Sequence, residues 1–143
     1  MHFANAFSLV EYMVRRYFFS YSTSFRFGLA IAVVGQYFRL VAMCTAAESF
    51  HHYVQKEQTN THKLVTHGVY SFSRQPLYCG FWWWFVGLEL WLGNPIALVI
   101  GAYKLWNFFR PRIEREEQYL VKLFGTDYEK YRAQVGVWIL FVT

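Results

Sequence analysis

The apolar run FGLAIAVVGQYFRLVAMCTA at 27–46 constrains the fold of this chain more than any other stretch. Its length matches the roughly 20 residues that a helix needs to cross a bilayer. Two shorter apolar runs follow at 78–92 and 96–109, joined by the turn signal Gly93-Asn94-Pro95. Each is short for a full span, so the two together read as a helical hairpin or a partly re-entrant pair. Backbone groups in lipid must be satisfied within the segment, which favours helices for all three. The expected fold is therefore all-α and integral to a membrane, a helical hairpin plus at least one further transmembrane helix.

Composition enters here because it separates this reading from a soluble one. Of 143 residues, 55% are hydrophobic and only 16% charged, where soluble domains carry about 25% charge. The net charge of +5 in isolation suggests nucleic acid. The cations instead sit between the apolar runs, as the positive-inside rule describes. With the Gly93 turn facing the lumen, Lys56, Lys63, Arg74, Arg110 and Arg112 all fall on the cytosolic side. Lys104 and Glu89, near opposite helix ends, read as snorkelling residues. Gln36 and Arg39 lie inside the first run, where a cation needs a partner, a route to the interface or a function. Cys44 and Cys79 form no CxxC pair and read as free thiols. No secretory signal pattern opens the chain.

The polar segments carry the chemistry. HKLVTHGVYSFSRQPLYCG at 62–80 leads into the second run, and RIEREEQYL at 112–120 follows the third. A hairpin brings these segments together at one membrane face. Ile113, Leu120, Leu123 and Phe124 mark an amphipathic helix over about 110–124, with Gly125 as its stop. Thr126 and Glu129 have capping-box spacing for a short second helix through Tyr131. Arg112 and Glu116 lie four apart on one helical face. They could hold a carboxylate and accept from hydroxyls respectively, or simply form a surface i,i+4 ion pair. His51, His52, His62 and His67 lack zinc-site spacing, and no metal site is expected. GxGxxG, P-loop, GxSxG and HExxH motifs are missing from the sequence. The strand–helix alternation of a soluble Rossmann methyltransferase is missing as well.

From about residue 35 to 142 the chain resembles the isoprenylcysteine carboxyl methyltransferase family of endoplasmic-reticulum membrane enzymes. The resemblance rests on GQYFRLVAMCTAAESFHHYV at 35–54, the 62–80 block, GNPI at 93–96 and WNFFRPRIEREEQYLVKLFGTDYEKY at 106–131. The later blocks are shared with membrane methyltransferases of phospholipid amines; the 35–54 block points to the prenylcysteine branch.

The resemblance implies methyl esterification of the C-terminal prenylcysteine carboxylate of CaaX-type proteins, with S-adenosylmethionine as methyl donor. It assigns the cofactor pocket to Gln55, His62, Lys63, Leu64, Val65, Tyr70, Gln75, Pro76, Leu77, Tyr78 and Glu116. Arg112 is assigned to the substrate carboxylate. No general base is expected, because a carboxylate is already ionised at neutral pH. The implied partners are prenylated protein C-termini and membrane lipid, with no nucleic acid. The implied location is the endoplasmic reticulum membrane, multi-pass, with the site facing the cytosol. The chain is expected to be one membrane methyltransferase domain. Its parts are an N-terminal segment 1–26, a span 27–46, a cytosolic cofactor segment 47–77, a hairpin 78–109 and a cytosolic cap of amphipathic helices 110–143.

Two departures bear on activity. The family's Arg-His-Pro reads Arg74-Gln75-Pro76 here, and Gln cannot carry an imidazolium proton. Family members also have further N-terminal helices, so this sequence reads as a shortened form. A related membrane methyltransferase of phospholipid amines or small lipophilic acids, and a catalytically silent truncated membrane protein, are the alternatives.

Overall fold

The computed structural model describes residues 9–14, 16–17, 26–54 and 64–139, with 47–54 as backbone alone. The described residues are helices and connecting coil, and no strand occurs among them. Helix α1 is Arg26–Val54. Its stretch Arg26–Ala46 is 21 residues long with mean hydropathy 1.7, enough to cross a membrane. The helix begins one residue before the expected span of 27–46 and runs on beyond the apolar stretch to Val54.

Punctuation by Pro and Gly sets the next two helices. Helix α2, Pro76–Leu92, begins with proline, whose fixed φ and missing N–H suit a first turn. It ends at Gly93, which takes the left-handed conformation at φ 70°. Helix α3, Pro95–Phe124, again opens on proline, so the turn read from Gly93-Asn94-Pro95 makes a hairpin. Two N–H groups of its first turn, on Ile96 and Ala97, donate to the Glu11 carboxylate at 3.3 and 2.8 Å. A negative side chain belongs at a helix N-terminus, and Glu11 ties the N-terminal segment to the hairpin turn.

Glu89 departs from its expected place. It is buried and accepts a hydrogen bond from Asn94 Nδ2 at 3.2 Å, rather than reaching for an interface. Satisfying the turn's amide within the protein takes precedence over snorkelling.

The tail also differs from expectation. No break separates the third run from the amphipathic segment; α3 continues through Pro111. Proline removes one i→i−4 hydrogen bond, which a long helix tolerates when its flanks are held. Its packed face carries Phe109, Ile113 and Glu117, all buried, whereas Leu123 is exposed. Gly125 stops the helix at φ 55°, as expected. Helix α4 is Thr126–Gln134, but Gly125 rather than Thr126 occupies its N-cap, so no side-chain cap forms.

Glycines hold α1 and α2 together. Gly28 of α1 faces Gly87 and Trp91 of α2, and Gly35 faces Gly80 and Trp84. A Cβ on Gly28 would lie 2.6 Å from the Trp91 nitrogen, and one on Gly80 2.8 Å from the Gly35 carbonyl oxygen. The pairing is antiparallel, with each helix contributing glycines seven residues apart, so both lie on one stripe. Removing Cβ lets backbones approach closely, which is how helices associate where lipid offers no hydrophobic drive. The start of α1 therefore shares an end of the bundle with the Gly93 turn. Residues 70–78 and Glu116–Leu120 meet at the other end. There, Val137 and Ile139 of the tail pack with Cys79, Trp82, Phe109 and Ile113.

Candidate functional site

At that second end a 3₁₀ turn, Gly68–Ser71, leads through Ser73-Arg74-Gln75 into the first turn of α2. A cavity of about 490 Å³ opens beside it. The first turn of α2 forms its floor, Arg39 and Met43 of α1 one wall, and Phe109, Glu116 and Leu120 of α3 the other. This volume falls within the roughly 300–1,000 Å³ of small-molecule sites. The wall residues of α3 recur at helical spacing past Pro111, so the continuity of that helix is what brings Glu116 over the cavity.

Of the residues assigned to a cofactor by resemblance, Tyr70, Gln75, Pro76, Leu77, Tyr78 and Glu116 line this one cavity. Leu64 and Val65 are half-buried and are not among its lining residues. Gln55, His62 and Lys63 lie outside the described residues. Arg112 sits at the rim, exposed, with its guanidinium 4.0 Å from the centre of the Phe108 ring and within reach of Tyr78. Among the described residues its i,i+4 ion pair with Glu116 does not form. Glu116 instead accepts from the Tyr78 hydroxyl at 2.6 Å, across from α2 to α3. Burial first, and the Glu116 carboxylate second, push the Tyr70 hydroxyl above its ordinary pKa, so it stays a donor. Arg39 lies over the Phe81 ring at 5.0 Å, which gives this intramembrane cation a π partner inside the site.

Beside the cavity, which Arg74 helps to line, is a charge cluster that sequence reasoning missed. Arg74 and Glu117 are both buried, with Arg74 Nε 3.0 Å from Glu117 Oε1. The N–H direction misses that oxygen, so the contact is an ion pair and not a hydrogen bond. Arg132 Nε approaches Glu117 Oε2 at 3.3 Å, and Arg74 Nη1 donates to the Arg132 carbonyl at 3.1 Å. Successive helical residues point about 100° apart. Glu116 consequently faces the cavity while Glu117 turns inward to the arginines. The adjacent acids were the available signal, since two neighbours on a helix cannot share one face.

The isoprenylcysteine carboxyl methyltransferase (ICMT) family model matches residues 28–122. The chain belongs to this family. It is 42% identical to the protein-S-isoprenylcysteine O-methyltransferase of Saccharomyces cerevisiae over 97% of its own length and 62% of that relative. It is 43% identical to the Rattus norvegicus enzyme of the same name over 80% of this chain and 40% of the other. Its structure superposes on that of the eukaryotic intramembrane Ras methyltransferase ICMT with a TM-score of 0.84 and 36% identity, covering 99% of this chain and 52% of the other. The chain thus spans between 40% and 62% of the length of these relatives. The all-helical membrane fold is shared with that structure.

Proposed function

We propose that this chain methylates the C-terminal carboxylate of a prenylated cysteine, using S-adenosylmethionine. The observation that carries the reading is the convergence of Tyr70, Gln75, Pro76, Leu77, Tyr78 and Glu116 on one cavity. Its lining suits the donor: aromatic faces for a planar base, a carboxylate for sugar hydroxyls, and buried Gln75 able both to donate and to accept. The family resemblance also assigns Gln55, His62 and Lys63 to the donor. Bound there, S-adenosylmethionine supplies an electrophilic methyl group on a sulfonium.

The chain's own residues have four tasks. Tyr70 and Tyr78 pack against the base, while Glu116 accepts from the cofactor's hydroxyls. Arg112 holds the acceptor carboxylate at the rim by a charge-assisted contact. No side chain has to remove a proton, because the nucleophile is already ionised. Alignment and exclusion of water then supply the acceleration. Met43, Phe81, Phe109 and Leu120 offer the prenyl chain an apolar path. Because α1 and α2 close on each other through glycines, that path opens toward lipid between α1 and α3. In this reading the site faces the cytosol, which the basic segments near it favour, and the family resemblance supplies the endoplasmic reticulum as the membrane.

The test is acceptor choice in membranes containing only this chain. Methyl transfer to a farnesylcysteine analogue, and none to phosphatidylethanolamine, is expected. Transfer to the phospholipid amine alone would overturn the acceptor assignment. Arg112→Ala should lower transfer at least tenfold, about 1.4 kcal/mol, while leaving cofactor affinity within twofold.

A further inference from the structure

The tail after α4 fastens the loop that leads into the cavity. Among the described residues, Trp138 is the one non-glycine with positive φ, at 59°. A bulky residue in that region is held there by its surroundings, and such outliers gather at functional sites. Burial does not hold it, because the residue is 69% exposed. Hydrogen bonds do. The indole Nε1 donates to the Phe72 carbonyl at 2.6 Å. The Trp138 carbonyl accepts from Trp83 Nε1 at 3.2 Å and from Cys79 Sγ at 3.8 Å. One residue thereby joins the loop through its side chain to α2 through its backbone.

Neighbouring bonds run in parallel. Ser73 Oγ donates to the Val137 carbonyl at 2.9 Å, and the Arg74 amide donates to the Gly136 carbonyl at 3.1 Å. The Gln75 amide donates to Ser73 Oγ at 3.3 Å, carrying the connection into the cavity lining. Phe72 is itself exposed, so this part of the loop has little apolar anchorage of its own.

We propose that Trp138 is a positioning residue that straps residues 72–75 to the tail, so that Gln75–Tyr78 present a preformed floor to the methyl donor. The inference rests on the cofactor reading above. Preorganisation lowers the ordering cost of binding, so loosening the strap weakens the donor and spares the acceptor.

The experiment compares wild type, Trp138→Phe and Ser73→Ala as purified full chains in detergent. S-adenosylmethionine affinity, the KM of each substrate and thermal stability are measured. Trp138→Phe keeps the ring and removes the N–H; Ser73→Ala cuts the strap from the loop side with a minimal change of volume. Each should raise donor Kd and KM by about three- to tenfold, the worth of a neutral hydrogen bond, with acceptor KM within twofold. A merely structural role would lower kcat through the folded fraction and leave the donor KM in place. Donor affinity within twofold of wild type in the folded variants overturns the strap and leaves the cofactor reading standing. No donor binding by wild type overturns both.

Discussion

Glu116 and Glu117 are adjacent in sequence and have unlike environments. Glu116 accepts from Tyr78 beside the cavity, while Glu117 is buried against Arg74 and Arg132. Glu116→Ala should weaken S-adenosylmethionine binding by about 10- to 100-fold, the worth of a hydrogen bond to a charged group, read by equilibrium binding. Equal affinity in the variant would remove that role. Glu117→Ala leaves Arg74 buried without its partner, which costs about 3–5 kcal/mol. The expected readout is a large drop in melting temperature in detergent. Arg110→Ala, which breaks an exposed i,i+4 pair with Glu114, should cost no more than about 0.5 kcal/mol. Comparable losses from both would contradict the buried-cluster account. The family resemblance singled out Glu116, which lines the cavity. Glu117 was not legible, because a glutamate in a charged helical stretch reads as solvated until its partner, distant in sequence, is placed beside it.

At the scale of elements, the α1–α2 contact depends on four glycines. Gly80→Ala puts a methyl group against the Gly35 carbonyl, so a helix backbone must move. Overpacking of this kind costs about 1–3 kcal/mol, and the loss should appear as a lower melting temperature. Gly136→Ala meets only ordinary contact, 3.9 Å from Trp138 Nε1, and should be near neutral. Loss of the same size at both sites would refute close helix approach as the cause.

Helix α4 permits a pH prediction. Burial, with the Glu117 carboxylate second, pushes the Tyr128 hydroxyl from 10.0 to about 12. Burial, then Tyr128, also raises Tyr131. Because the folded pKa is raised, this contribution is complete below pH 10 and is lost as pH rises toward 12. Tyr128→Phe should make the alkaline decline shallower; an unchanged decline would count against this assignment. The hairpin turn at Gly93-Asn94-Pro95 and the stop at Gly125 were legible because proline and glycine mark them locally, whereas the end of α1 at Val54 was not. The helix pairing was present as glycines seven apart, yet glycine near a turn draws attention as punctuation first. The continuity through Pro111 and the N-cap at Gly125 were not legible. Both depend on flanking contacts rather than on local propensity.

For the whole molecule, the topology follows from the apolar runs: one helix across, a polar segment, and a hairpin returning to the same end. That much was readable from hydropathy, and it places Arg74 beside Glu117 and Tyr78 beside Glu116. The strap at Trp138 was not readable, since an exposed tryptophan in a tail carries no periodicity. On the proposed reading, the cavity between α1, α2 and α3 brings a methyl donor to a prenylcysteine carboxylate. The most direct measurement is transfer of labelled methyl from S-adenosylmethionine to N-acetyl-farnesylcysteine in membranes whose only added protein is this chain, followed by mild base. An ester releases its label as methanol, whereas an N-methyl product keeps it. Base-labile label that Arg112→Ala reduces at least tenfold is the predicted result. Correctly inserted protein that transfers no methyl, or forms only base-stable product, would contradict the account.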